Sequence, residues 1–147
     1  MPGECLFCQI VEGSRTANIV MESDEVLAFL DHRPVFPGHC LLIPKVHMET
    51  LADLPAEALG GFFQAAQLLS QAVETALSAD GSFVAINNRV SQSVPHLHVH
   101  VVPRRKKDGL RGFFWPRGKY ADEEEMEQVQ ARIYKAVERL KSGRTAP

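Results

Sequence analysis

Three histidines alternate with apolar residues in the segment His96-Leu97-His98-Val99-His100. Because successive side chains of a β-strand point to opposite faces, this spacing predicts that the three imidazoles share one face while the apolar residues between them face a core. A solvated polar face does not need three identical titratable residues, so we favour a chemical role. Two such roles are open: a mononuclear metal site, since imidazoles spaced in this way can bind Zn²⁺, and nucleophilic catalysis, in which a neutral imidazole attacks phosphorus.

A second group of reactive side chains is the pair Cys5 and Cys8. A redox function for a C-x-x-C pair needs a strand before it and a helix after it, and we expect no room for that strand. A metal site needs two further ligands. The third interpretation is two buried thiols without a ligand. We interpret Cys40, which follows His39, as a small buried residue.

The histidine segment is part of a longer pattern that resembles the histidine triad (HIT) family of nucleotide hydrolases and transferases. The matching segments run in the family's order over roughly residues 5–105. They are Cys5-Leu6-Phe7-Cys8-Gln9-Ile10, Phe29-Leu30-Asp31, Pro34, Pro37-Gly38-His39, Ile43-Pro44-Lys45-Val46-His47, Gln92-Ser93-Val94, the triad itself and Pro103-Arg104. The first of these segments is similar to the opening of the zinc-containing bacterial members.

The resemblance implies attack on the α-phosphorus of a nucleotide by the middle histidine. His98 would be the nucleophile and would form a nucleotidyl-imidazole that water then hydrolyses. His100 would contact the phosphate oxygens, and His39 would lie behind the cluster and help to set tautomer and proton position. Gln92 and Ser93 would support the phosphate or the leaving group. These roles fit the requirement that several donors converge on phosphoryl charge.

The resemblance also implies where the nucleoside binds. Asp31 would take the ribose hydroxyls, with Phe29 and His32 beside the base. One stretch departs from the family pattern, which has Asn-x-Gly and a small Ala-Gly pair before the glutamine. Here the loop 87–91 is shorter, with Ser91 where glycine is usual, although Asn87 can still do the work of the family asparagine. The departure concerns leaving-group specificity rather than the nucleotidyl chemistry.

In zinc-binding relatives, the resemblance places His47 and His96 with Cys5 and Cys8. A Cys₂His₂ set is closed and tetrahedral, so the zinc would be structural, and His96 would hold the start of the triad strand instead of acting in catalysis. Two rival hypotheses stay open. One is a metallohydrolase in which His98 and the third triad histidine are ligands, and the other is a nucleotide-binding regulatory module with little turnover.

The hydrophobic pattern predicts the elements that must position these residues. Period-two segments predict strands at 18–22, 25–31, 39–43, 82–86 and 96–102, and period-3.6 segments predict helices over 55–78 and 122–141. Short turns between strands favour antiparallel pairing, so we predict an α+β, HIT-like fold. It would have a five-stranded antiparallel sheet, one long inserted helix and a C-terminal helix. We expect a single domain over 1–147, with its core at about 5–105 and a C-terminal loop and helix at 106–141.

Two apolar stripes are predicted to be buried on these helices. The stripe of the long helix is Leu59, Phe62, Phe63, Ala66, Leu69, Val73, Ala76 and Leu77, and that of the C-terminal helix is Met126, Val129, Ile133, Val137 and Leu140.

Composition narrows the classes of partner. With 147 residues, 16 Lys and Arg against 18 Asp and Glu and a net charge of −2, no global field attracts nucleic acid or anionic lipid. No apolar run reaches the roughly 18 to 20 residues of a membrane span. Three cysteines and no apolar export segment predict a cytoplasmic protein. The expected partners are a small-molecule nucleotide and, because the family is mostly homodimeric, a second copy whose site Trp115 could line.

Overall fold

A computed structural model of the chain describes residues 4–110 and 118–144. Contacts divide it after Asp108 into two units, Met1–Asp108 and Gly109–Pro147. Within the described ranges, every strand belongs to the first unit and one helix to the second. The single domain over 1–147 stays a prediction, and Trp115 lies outside the described residues.

The first unit has the predicted sheet with the long helix inserted. Its helices are α1 (Leu6–Val11) and α2 (Ala56–Leu77), with a 3₁₀ turn at Leu51–Asp53. Its strands are β1 (Ile19–Glu22), β2 (Val26–Leu30), β3 (Cys40–Pro44), β4 (Gly81–Ile86) and β5 (Val99–Arg104). The strand order is β1-β2-β3-β5-β4, and each pair of neighbours is antiparallel. The predicted fold class is confirmed. The second unit contributes the C-terminal helix α3 (Glu123–Arg144).

The sheet has a different apolar layer on each face. One core cluster joins buried residues of α2, such as Phe62 and Leu69, to Leu97, Val99 and Val101. The other cluster lies beneath α1. Its buried members are Cys5, Phe7, Cys8, Leu27, Phe29, Leu41 and Ile43. The alternation predicted for the triad segment is therefore correct, because its apolar residues pack toward α2.

β5 begins three residues later than the pattern predicts. The amide of Leu97 donates to Met48 O at 2.6 Å and that of His96 donates to Val94 O at 2.8 Å, so neither joins the ladder. The ladder between β3 and β5 runs from Leu42↔Val99 to Cys40↔Val101. The first two triad histidines thus lie on the approach to β5, where their backbone is held by the segment that follows β3.

The helices differ from the prediction in three places. The hydrophobic pattern does not predict α1, because six residues are too few to show a helical period. In α2, Phe63, Ala76 and Leu77 are exposed, although the predicted stripe included them. The predicted buried seam of α3 is wrong: Met126, Ile133, Val137 and Leu140 are between 43% and 65% exposed. None of the helices among the described residues is long and apolar enough to cross a membrane.

Candidate active site and metal centre

His98 is buried at the approach to β5, and its proton position follows from one hydrogen bond. Its Nδ1 lies 2.7 Å from the carbonyl oxygen of His96. Because a carbonyl only accepts, Nδ1 must carry the proton, and Nε2 keeps its lone pair. Burial lowers the pKa of His98 below its ordinary value of 6.5, although His96 and Asp31 act in the opposite direction. The ring is therefore a neutral imidazole with one free basic nitrogen near neutral pH.

His39 and His100 form a second directed pair. The backbone amide of Val35 donates to His39 Nδ1 at 3.1 Å, so Nδ1 is the acceptor and the neutral ring carries its proton on Nε2. That Nε2 lies 2.9 Å from His100 Nδ1 and donates to it. The proton of a neutral His100 is consequently on its own Nε2. This atom is buried, and no described residue accepts a hydrogen bond from it.

The electrostatics keep this pair neutral. Burial, with the neighbouring His98 and His39, lowers the pKa of His100 to about 4. Burial also lowers the pKa of His39, against the attraction of Asp31, whose Oδ2 lies 3.8 Å from His39 Nε2. A buried N–H without a partner is unfavourable. It is a ready donor for an anionic oxygen placed beside His100.

His98 and His100 open into one cleft of about 290 Å³. Its other lining residues come from α1, the α1–β1 connection, β2 with the two residues after it, β3 and the segment before the triad. They are Leu6, Phe7, Ile10, Arg15, Thr16, Ala17, Asn18, Phe29, Leu30, Asp31, His32, Leu41, Ser93 and Val94. The cleft therefore has an apolar wall and a polar end with a carboxylate and two imidazoles. Such a shape suits a small molecule with one flat apolar part and one charged part.

The structure gathers most, but not all, of the predicted site residues. Phe29, Asp31, His32, Ser93 and the two histidines line the cleft, and His39 lies behind them through its bond to the third triad histidine. Gln92 and Asn87 are not among the lining residues. Asp31 Oδ1 accepts from the amide of Arg33 at 2.9 Å, so the other carboxylate oxygen is the one available to a ligand.

Gln92 instead ties two backbone segments together. Its Oε1 accepts from the amide of Arg89 at 2.7 Å, and its Nε2 donates to Glu49 O at 2.6 Å. Its neighbours Arg89 and Ser91 have φ of 68° and 58°, in the left-handed region where glycine is favoured. The loop 87–91 is therefore a tight turn that the Gln92 side chain holds against Glu49, in the segment after β3.

Four side chains from three segments could hold a metal ion. The Sγ atoms of Cys5 and Cys8 and the Nδ1 atoms of His47 and His96 all lie within 4.8 Å of one another. His96 Nδ1 is 3.5 Å and 3.6 Å from the two sulfurs, and His47 Nδ1 is 3.3 Å from Cys8 Sγ. A tetrahedral zinc with ordinary bond lengths would place sulfur and nitrogen ligands about 3.5 Å apart. The donor set and its spacing fit that ion.

Proton positions also favour a metal at this cluster. His96 Nε2 donates to Pro44 O at 2.8 Å, so the lone pair on Nδ1 faces the two sulfurs. Burial and the adjacent Cys5 thiol raise the pKa of Cys8 to about 11. Near neutral pH the Cys8 side chain is therefore a neutral thiol unless a cation binds the sulfur.

A second cluster, of Asp31, His39 and His100, also brings its ligand atoms within 4.8 Å of one another. Its proton pattern does not fit a metal. His39 Nε2 would have to give up its proton while Nδ1 still accepts from Val35, which would require an imidazolate. His39 and His100 form a hydrogen-bonded pair instead, with Asp31 Oδ2 3.8 Å from His39 Nε2. His98 belongs to neither candidate metal cluster.

Phe7 joins the metal centre to the cleft and was missed by the sequence analysis. It lies on α1 between the two cysteines. Its ring centroid is 5.2 Å from that of His98, 5.9 Å from that of His96 and 5.3 Å from that of Phe29. The spacing of the cysteines could have predicted this position of Phe7. If the cysteines share a metal with His96, a residue between them must lie close to the rest of the triad.

Comparison with known proteins identifies relatives over most of the chain. A family model described as HIT domain matches residues 12–107. An uncharacterized HIT-like protein of Saccharolobus solfataricus is 36% identical over 139 residues, which is 92% of this chain and 99% of the relative. Among solved structures, a Zn-bound histidine triad family protein from Mycobacterium smegmatis is 36% identical with a TM-score of 0.70. That match covers 97% of this chain and 99% of the other.

Two relatives have names that state an activity. Adenylylsulfatase HINT3 of Arabidopsis thaliana is 32% identical over 112 residues, 75% of this chain and 57% of the relative. The asymmetrical bis(5'-nucleosyl)-tetraphosphatase of Schizosaccharomyces pombe is 34% identical over 110 residues, 74% of this chain and 59% of the relative. The present chain thus spans less than two thirds of each of these two proteins.

Proposed function

Since this chain belongs to the HIT domain family, we propose that it is a nucleotide hydrolase or transferase that cleaves at the α-phosphate of an adenine nucleotide conjugate. The conjugate would be a dinucleoside polyphosphate or a nucleoside phosphoramidate. The observation that carries the proposal is the proton pattern of two histidines that line the cleft, His98 and His100. His98 Nε2 has a free lone pair, and His100 Nε2 has a buried N–H without a partner among the described residues. A nucleophile and an oxyanion donor are the two groups that the reaction needs.

In the first step, the His98 Nε2 lone pair forms a bond to the α-phosphorus. The bond from phosphorus to the leaving group breaks, and the leaving group departs with its electron pair and takes a proton from water. The nucleotidyl-imidazolium keeps its Nδ1 proton on the carbonyl oxygen of His96. His100 Nε2–H donates to a non-bridging phosphoryl oxygen and stabilises the charge there.

In the second step, a water oxygen attacks phosphorus and loses a proton to solvent. The bond from phosphorus to Nε2 breaks, and its electron pair returns to His98 as the lone pair. The product is the nucleoside monophosphate, and the neutral ring is ready for another cycle. With a second acceptor in place of water, the same intermediate gives nucleotidyl transfer.

The nucleoside is proposed to occupy the apolar wall. Phe29 and Phe7 would contact the base, and Asp31 Oδ2 would accept from the ribose hydroxyls, since its Oδ1 is already bonded to the amide of Arg33. His32, whose side chain is 87% exposed, would lie at the rim beside the base. Ser93 is the hydroxyl nearest in sequence to the triad that lines the cleft, so we propose it for the phosphate or leaving group.

We propose that the metal centre holds one structural zinc ion. When bound, zinc would fix α1, the segment after β3 and the approach to β5 as ligands of one ion. All four ligand positions are supplied by protein, so none is open for substrate. The Zn-bound relative supports the choice of metal.

Location and assembly complete the proposal. None of the three cysteines, Cys5, Cys8 and Cys40, forms a disulfide bond, which supports a reducing, cytoplasmic setting. The exposed apolar side chains of α3 support a homodimer, because such residues commonly pack against a partner.

The proposal is tested by measuring AMP release from diadenosine polyphosphates, adenosine phosphoramidates and adenylyl sulfate with the purified protein. Turnover of at least one class, with transient label on the protein, is the expected result. AMP binding without turnover of any of them would favour the regulatory module.

A further inference from the structure

The loop between β2 and β3 is closed on itself by backbone bonds. The amide of Asp31 donates to His39 O at 2.9 Å, and the amide of His39 donates to Phe36 O at 3.0 Å. Gly38 has φ of 98°, a backbone conformation that strains any residue with a side chain. The loop therefore holds a fixed shape with the amide of Val35 pointing at the His39 ring.

That amide makes the first hydrogen bond of a directed line. Val35 N–H donates to His39 Nδ1, and His39 Nε2–H donates to His100 Nδ1. A backbone amide can only donate, whereas each imidazole can hold its proton on either nitrogen. Both neutral histidines could reverse together and keep their mutual bond. The Val35 amide cannot reverse and is hydrogen-bonded to His39 Nδ1, whereas the Asp31 carboxylate, which also favours a proton on His39 Nε2, lies 3.8 Å from that atom.

Reversal would change what the cleft presents to a phosphate. With the proton of His39 on Nδ1, its Nε2 would accept from His100 Nδ1–H. His100 Nε2 would then face the ligand with a lone pair, which repels an anionic oxygen. In the observed arrangement this atom is instead a buried N–H donor.

We propose that the backbone N–H of Val35 is a positioning group that fixes the tautomers of His39 and His100, so that His100 donates a hydrogen bond to the α-phosphate oxygen. This inference rests on the proposed function for the identity of the ligand. The Val35 side chain, which is 45% exposed, has no part in it.

The test removes the hydrogen-bond donor of Val35 and leaves its side chain in place. Val35 is replaced in the zinc-loaded protein by its α-hydroxy analogue, which turns the Pro34–Val35 amide into an ester and deletes the N–H donor. Two-dimensional ¹⁵N NMR of the histidine rings then reports which nitrogen of His39 and His100 carries the proton. Titration calorimetry with AMP reports the phosphate contact. Val35→Ala, which keeps the N–H, is the matched control.

In wild type and Val35→Ala we expect the Nε2–H tautomer at both rings. In the ester protein we expect a shift toward the Nδ1–H tautomer at both rings. We also expect AMP affinity to be weaker by roughly tenfold or more, because that is the effect of losing one hydrogen bond to a charged group. Unchanged tautomers with unchanged AMP affinity in the ester protein would overturn the inference. If the ester protein does not fold, a wild-type His39 found as Nδ1–H overturns it equally.

The two proposals fail in different ways. A wild type that shows the expected tautomers and the AMP effect but releases no AMP from any conjugate contradicts the proposed function alone. A wild type that turns over conjugates, with an ester protein equal to it in tautomers, AMP affinity and kcat, contradicts only the role of Val35.

Discussion

His98 and His96 are joined by the hydrogen bond from His98 Nδ1 to the carbonyl oxygen of His96, at 2.7 Å. The same His96 presents Nδ1 to two cysteines and donates from Nε2 to Pro44 O. One residue thus supplies its side chain to the metal centre and its backbone to the nucleophile. The orientation of the His98 ring therefore depends on His96, whose own ring contacts the two cysteines and Pro44 O.

The first prediction concerns the nucleophile. His98→Asn keeps polarity but removes Nε2, so turnover should fall by several orders of magnitude, since covalent catalysis has no substitute for the attacking atom. AMP binding should persist, because the donor on His100 and the acceptor on Asp31 remain. Rapid quenching of wild type with labelled substrate should give an acid-labile, base-stable protein adduct. Near wild-type kcat in the variant, or label on another residue, would contradict the mechanism.

The second prediction concerns the metal centre. Cys5→Ser should lower the melting temperature more than it lowers activity per folded molecule, because a structural metal contributes to the free energy of folding. Metal analysis of wild type should find one zinc per chain. Cys40→Ser is the matched control, since Cys40 is buried but belongs to neither candidate metal cluster, and it should retain the zinc. Wild type without zinc, together with an unchanged melting temperature for Cys5→Ser, would show the assignment to be wrong.

The third prediction concerns the ribose. Asp31→Ala should raise KM for nucleotide substrates. The charged carboxylate would accept from two ribose hydroxyls, and hydrogen bonds to a charged group contribute roughly 1.5–3 kcal/mol. The informative measurement is the preference for a ribo- over a 2',3'-dideoxy-substrate in wild type and variant. A preference that survives the substitution unchanged would argue against this role.

The fourth prediction concerns pH. The pKa of His100 is lowered from 6.5 to about 4 by burial and its histidine neighbours, so the unfolded chain binds its proton at a higher pH than the folded protein does. The stability from keeping His100 neutral is complete above about pH 6.5 and is lost as pH falls from there toward 4. Urea unfolding of wild type and His100→Gln over this range should show a shallower pH dependence in the variant. Parallel curves would contradict the lowered pKa.

The fifth prediction separates two roles for Gln92. If its side chain mainly joins Arg89 to Glu49, Gln92→Leu should lower stability by about 1 kcal/mol for each bond lost and leave AMP affinity nearly unchanged. If the role implied by the family resemblance holds, AMP affinity or leaving-group preference should change while the unfolding midpoint does not. Calorimetry with AMP and urea unfolding of the same variant distinguish the two.

Period-two alternation predicted the faces of the triad segment correctly. Leu97 and Val99 pack toward α2 in the cluster with Phe62, and the imidazoles that alternate with them lie on the face that carries α1. The alternation did not predict where the ladder begins. That depends on the bond from Leu97 N to Met48 O, which joins segments that only the folded chain brings together.

Side-chain direction in loops was the least predictable property. Gln92 occupies the position that the resemblance assigns to phosphate support, and yet both ends of its amide bind backbone groups. Loop side chains choose among nearby partners by geometry that the sequence pattern does not contain. The same applies to α1, whose position follows from the cluster of its cysteines with His47 and His96 and not from its own periodicity.

The separation of the two apolar layers has a consequence for how such a chain can change over time. Leu97 and Val99 belong to the layer under α2, whereas the imidazole of His98 lies on the face that carries α1. Substitutions in the α2 layer can therefore accumulate and adjust the melting temperature without touching the reacting groups. Homologous proteins from organisms that grow at different temperatures could therefore differ in the α2 layer and keep the same reacting groups on the face that carries α1.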